Sequence, residues 1–199
     1  MYYTLVKDNN DKNNEISKGE LYEKKSKFFS YIYNIKDEED AKKYIEDIKN
    51  KNKDARHCVY IYSYLKDGKI NIRFCDDGEP QGTGTKAIYE LMTKENITNI
   101  CIVIVRYFGG ILLGAGPLSR AYLNCARNAI NLCRKEIIYK YINYVDFVSY
   151  NKFQKIKNII DNYMNESKIK INYINYNEKV EYNIEIREDI YEKVLSLIK

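Results

Sequence analysis

A chain of 199 residues, 45% of them hydrophobic, has the material for one large domain or two small ones, and it lacks any apolar run near the roughly 18 residues of a membrane span. Its net charge of +5 permits nucleic-acid contact without requiring it, while the five cysteines form no CxxC pair and fit a reducing cytoplasm. The start, "MYYTLVKDNNDKNNEIS", has no export-signal core, and a single histidine argues against a structural zinc cluster, so a cytoplasmic protein off the membrane is expected, with no metal and no cofactor.

From Glu15 to Ile35 the pattern predicts two strands, the second being "KFFSYIYNI". Asp37 then caps a helix with an apolar stripe at Ala41, Tyr44, Ile45 and Ile48. "HCVYIYSYL" and "KINIRFC" flank Asp67-Gly68 and read as a hairpin. A short helix carries Ala87, Ile88, Leu91 and Met92 inward, and "ITNICIVIVRYF" has the nearly continuous apolar run of a central strand. A longer helix is predicted from Pro117 to Cys133, burying Leu118, Ala121, Tyr122, Cys125, Ala129 and Leu132. Near Ile137 a new unit begins, with a strand, a helix, a hairpin at Asn177-Glu178 and a final amphipathic helix. That βαββα order is a ferredoxin-like split βαβ pattern without its closing strand. The predicted class is α+β, with domains at 1–136 and 137–199.

Backbone chemistry is concentrated in one place. Seven of the nine glycines and both prolines fall between Gly78 and Pro117, where the chain must need angles that other residues avoid. "DDGEPQGTGTK" brings Asp76, Asp77 and Glu79 together. Two readings stay open there: ordinary turn chemistry, or carboxylates that bind a divalent cation or divide acid and base roles. Gly82 and Gly84, with Lys86, offer amides to an anion at a helix start. "RYFGGILLGAGPLSRAY" contains Gly114-x-Gly116, but Ser119 stands at the third position of the dinucleotide motif and no βαβαβ succession surrounds it. Gly109, Gly110, Gly114 and Gly116 therefore serve either tight packing or a phosphate-holding loop.

Arg120, Asn124, Arg127, Asn131 and Arg134 recur at helical spacing, either as a solvated face or as a contact for a phosphate backbone or an acidic protein. Arg106 ends the buried strand beside Tyr107, where its charge needs a partner, and the Asp76–Glu79 segment is the expected one. His57, the sole histidine, opens a strand with no serine or cysteine arranged as a triad, which favours a structural role over a catalytic one.

Taken together, "KKSKFFSYI", "DARHCVYIY", "DDGEPQGT" and "VRYFGGILLGAGPLSRAY" resemble the Impact/YigZ family over residues 15–133, and the tail resembles the small C-terminal domain of its bacterial members. The resemblance implies a first domain like the second domain of ribosomal protein S-five, including an unusual left-handed βαβ crossover, and a tail like the fifth domain of elongation factor G. Eukaryotic members restrain the amino-acid-starvation kinase by binding its activator. The expectation for this chain is a non-enzymatic, translation- or stress-linked regulator that binds RNA, the ribosome or a translation-associated protein. The alternative is a small-molecule enzyme or phosphate-ligand protein built on Asp76, Asp77, Glu79, Arg106 and Arg120. The family's characteristic positions here are His57, Asp76, Asp77, Gly78, Glu79, Pro80, Gly82, Arg106, Tyr107, Gly109, Gly110, Gly114, Gly116, Arg120 and Tyr122, with Arg120, Arg127 and Arg134 as candidate RNA or partner contacts. Pro117 stands where the family pattern has glycine, and Ala87 where it has proline.

Overall fold

In strand β6 (Ile100–Tyr107) every residue from Ile100 to Arg106 is buried, the outcome for an apolar run covered on both faces. The computed structural model that places this strand describes residues 1–7 and 15–199. The chain divides into two compact units, Met1–Ile138 and Tyr139–Lys199.

In the first unit β6 lies at the centre of a five-stranded sheet. The other strands are β2 (Glu15–Glu23), β3 (Ser26–Asn34), β4 (His57–Lys66) and β5 (Lys69–Cys75), in the order β2-β3-β6-β4-β5 with every neighbour antiparallel. Strand alternation separates two cores. Cys58, Tyr62, Cys101, Val103 and Val105 meet Ala41, Ile45 and Ile48 of helix α1 (Glu38–Lys51) on one face. Val59, Ile61, Ile102 and Ile104 meet helices α2 (Lys86–Lys94) and α3 (Ala115–Ile130) on the other. Asp37 caps α1 through its carboxylate, which accepts from the Glu39 and Asp40 amides.

The order and the faces fix a matter of handedness. The units β3-α1-β4 and β5-α2-β6 each join parallel strands across one intervening antiparallel strand. A half-turn in the sheet plane brings their strand paths into the same sense, yet their helices lie on opposite faces. The two crossovers are therefore mirror images in hand, and one of them is left-handed, against the strong right-handed rule. That agrees with the crossover the family resemblance implied.

Two elements escaped the sequence pattern. Strand β1 (Tyr2–Lys7) pairs antiparallel with β7 (Cys133–Ile138), and it carries Leu5 fully buried into the main core. This pairing corrects the expected helix end: α3 stops at Ile130 with Asn131 as its cap. Leu132, predicted inward, is 61% exposed, and Arg134 lies opposite Val6 in a strand instead of following Arg120 and Arg127 along the helix. Pro117 occupies the first turn of α3, where a missing amide hydrogen costs nothing, so its substitution for glycine is compatible with the fold.

The second unit runs β8 (Tyr141–Val148), α4 (Tyr150–Asn165), β9 (Ile169–Tyr176), β10 (Val180–Arg187), a short 3₁₀ turn (Glu188–Ile190) and α5 (Tyr191–Ile198). Its sheet order β8-β10-β9 is that of a ferredoxin-like domain without a fourth strand. Val180, Tyr182, Ile184 and Ile186 alternate inward from β10 against Phe153, Ile156 and Ile160 of α4 and Val194 and Ile198 of α5.

Candidate functional site

The acidic segment after β5 does not present its carboxylates to a common point. Each one turns to its own donors within the chain. The two Asp76 oxygens accept from the Gly82 amide at 2.7 Å, the Gly84 amide at 3.0 Å and the Thr85 hydroxyl at 3.0 Å. The anion expected at the start of α2 is thus supplied by the chain itself. Asp77 accepts from the Cys58 amide at 2.7 Å, with Lys49 Nζ 3.6 Å away. Its φ of 44° and the 81° of Gly78 turn the backbone back toward β4.

Glu79 is the buried anchor. Its Oε1 accepts from Arg106 Nη1 and from the Tyr122 hydroxyl, both at 2.7 Å, and His57 Nε2 lies 3.7 Å from Oε2. Glu79 and Arg106 side chains are 4% and 5% exposed, so the pair is desolvated and each member depends on the other. Burial, followed by the neighbouring Glu79 charge, pushes the Tyr122 hydroxyl far above its ordinary range and keeps it a donor. His57 Nδ1 lies 2.8 Å from the Asp77 carbonyl, which only accepts, so that nitrogen carries the hydrogen. The Arg106 guanidinium also stands 5.4 Å from the Phe28 ring centre and 5.5 Å from that of Phe108, a cation between two aromatic faces.

This network braces a second loop. The Gly109 amide donates to the buried Ser26 hydroxyl at 3.2 Å, and a Cβ on Gly109 would fall 2.1 Å from the Lys25 carbonyl carbon. Only glycine allows residues 108–110 to lie against the β2–β3 turn, whose own Lys24 and Lys25 have φ of 45° and 65°. Gly114, with φ 77°, opens α3. Gly110 also has positive φ, while Gly116 lies inside the first turn of α3, 3.7 Å in Cβ terms from the Arg120 guanidinium.

Of the residues singled out in the sequence, His57, Asp76, Asp77, Glu79, Arg106 and the glycine loop are brought together. Tyr107 is not: it follows Arg106 on the strand, turns to the α1 face and donates to Asn52 Oδ1 at 2.9 Å. Arg134 leaves the row for the reason given above. The sequence pattern missed Tyr122 as a partner of Glu79 and Ser26 as the brace of the second loop. It also missed the exposed lysines of the turn, Lys24, Lys25 and Lys27, which rise beside the glycine loop together with exposed Arg56, whose guanidinium lies 5.8 Å from the Phe108 ring centre. Among the described residues no cluster of three or more histidine, cysteine or acidic side chains is arranged to hold a metal ion.

Comparison with known proteins follows the same residues. The model of the Impact N-terminal domain matches residues 24–130. The chain is 30% identical over 177 residues to IMPACT family member YvyE of Bacillus subtilis, spanning 87% of this chain and 78% of that one. It is 36% identical over 122 residues to IMPACT family member YigZ of Escherichia coli, spanning 59% of this chain and 60% of that relative. A solved structure described as the crystal structure of an hypothetical protein superposes with a TM-score of 0.66 at 24% identity, covering 98% of this chain and 91% of the other, a likeness of fold.

Proposed function

The chain belongs to the Impact family, and from that premise we propose that it is a non-enzymatic, translation-linked regulatory protein whose glycine-shaped rim contacts RNA, free or within the ribosome. One observation carries the reading: Asp76, Asp77 and Glu79 are each engaged by the chain's own donors, while Lys24, Lys25, Lys27 and Arg56 stay exposed around the loop. Lys24, Lys25, Lys27 and Arg56 flank residues 108–110, and exposed Arg120 and Arg127 continue along α3. These exposed cations suit the phosphates of a flexible strand, and Phe108, 38% exposed, lies beside Arg56 among them. The translation link rests on the family resemblance.

A fluorescent single-stranded RNA titrated into the whole chain at several salt concentrations tests this. The Arg120→Ala/Arg127→Ala variant is expected to bind more weakly and to lower the slope of log K against log salt by about 1.4, near 0.7 per lost phosphate contact on a single strand. An unchanged slope would remove α3 from the interface.

A second reading is favoured by the loop tip, where Ile111 and Leu112 are 42% and 84% exposed. Under it the rim engages a translation-associated protein. Capture of a partner that persists after nuclease and fails with Leu112→Asp would favour this reading over RNA.

A further inference from the structure

Strand β5 is the outer strand of the main sheet, and its free edge adjoins an apolar groove on the α2 side. The groove runs as two adjoining depressions of about 300 and 420 Å³ that share Ile72 and Tyr89. Ile70, Phe74 and Tyr89 are 41%, 57% and 41% exposed, so apolar side chains line it without being covered.

The hairpin turn fixes which backbone groups face outward. Asp67 and Gly68 both have positive φ, 51° and 73°, the two-residue turn in which the flanking Lys66 and Lys69 form a bonded pair. Pairs then alternate along the ladder, so Ile70, Ile72 and Phe74, opposite Leu65, Ser63 and Ile61, are the non-bonded positions. The Leu65 amide agrees: it points away from β5 and donates to Asn99 Oδ1 at 2.8 Å. Hence the same three residues that send apolar side chains to the groove send their N–H and C=O groups out along the edge. No bond to those groups is seen among the described residues.

The opposite face of β5 decides the occupant. It carries Lys69, Asn71 and Arg73, two cations and no acid. A second copy of β5 pairing antiparallel sets Lys69 against Arg73 when centred on Asn71, and Lys69 against Cys75 and Arg73 against Asn71 when centred on Ile72, so neither register gives a cation a carboxylate partner. We propose that the β5 edge and its groove receive an extended peptide segment of a partner protein with alternating apolar and acidic residues. Its apolar side chains enter the groove, and its acidic ones lie opposite Lys69 and Arg73. One depression of the groove is also lined by Asp76, Gly82 and Thr85 of the acidic segment, but Lys24, Lys25, Lys27, Arg56 and Phe108 of the rim do not line it, and the proposal does not rest on RNA binding at the rim.

The probe is a short peptide, capped at both ends, alternating valine and glutamate and long enough to span β5, titrated into the whole chain and followed by amide NMR. Shifts and slowed exchange are expected at Ile70, Ile72 and Phe74. The same peptide with lysine for glutamate should bind about tenfold more weakly, the size of two cross-strand charge pairs made repulsive. The folded Lys69→Glu/Arg73→Glu variant should reverse that preference, and methylation of the peptide nitrogens facing β5 should abolish binding. Unmoved β5 amides, equal binding of both peptides, or binding that survives methylation would each overturn the proposal. A concentration-dependent dimer of the unmodified chain, lost in Phe74→Glu, would assign the edge to a second copy instead.

Discussion

Arg106 and Glu79 close a buried ion pair whose value lies in mutual need. Removing one member leaves the other charged and dry, so Arg106→Ala is expected to lower the stability of the first unit by about 3–5 kcal/mol, measured by chemical denaturation. Tyr122→Phe, which takes away one of two donors to the same oxygen, should cost about 1–3 kcal/mol. Adjacent glycines give a sharper contrast. Gly110 has φ 83° but open space around its missing side chain, so Gly110→Ala should cost about 1–2 kcal/mol. Gly109→Ala must push a methyl group into the Lys25 backbone, and only this variant should displace the loop from the β2–β3 turn, as thermal melts and loop amide shifts would record. Cys58 and Cys125 add a dependence on pH. Burial pushes both thiols up to about 11 from an ordinary value of 9.0. Below pH 9 both folded and unfolded chains keep them protonated. Above it the unfolded thiols ionise first, so stability should decline from pH 9 to 11 by about 2 kcal/mol per thiol, and less in Cys125→Ala.

Among the elements, those with a strong period were legible: α1 from Asp37 and its apolar stripe, the β4–β5 hairpin from Asp67-Gly68, and β6 from its unbroken apolar run. The end of α3 was not, because Arg134 continues the helical spacing while the pairing of β7 with β1, more than a hundred residues away, draws that segment into a strand. Such a competition is invisible to a local pattern. For β1 the signal was a single deep residue in a short strand. Leu5→Ala is expected to cost about 2–5 kcal/mol, which would show that this strand belongs to the core of the first unit.

At the scale of the whole chain, the concentration of glycine and proline between Gly78 and Pro117 pointed to the candidate site but not to how it is wired. That Asp76 fills the helix start, Asp77 returns to β4 and Glu79 goes under the loop depends on strand register and on turn angles. Three neighbouring carboxylates looked alike in the sequence because their separation arises only when β4 and β6 bring the Cys58 amide and the Arg106 guanidinium to different sides of them. The rim lysines were hidden for a related reason: Lys24, Lys25 and Lys27 come from a hairpin eighty residues before the loop they flank, in a chain rich in lysine throughout. Photochemical crosslinking of single-stranded RNA to the whole chain, with the attached residues read by mass spectrometry, tests that convergence most directly. Crosslinks should gather at residues 24–27, at Arg56 and Phe108, and along α3 to Arg127. Crosslinks confined to the second unit, or scattered without regard to the loop, would contradict it.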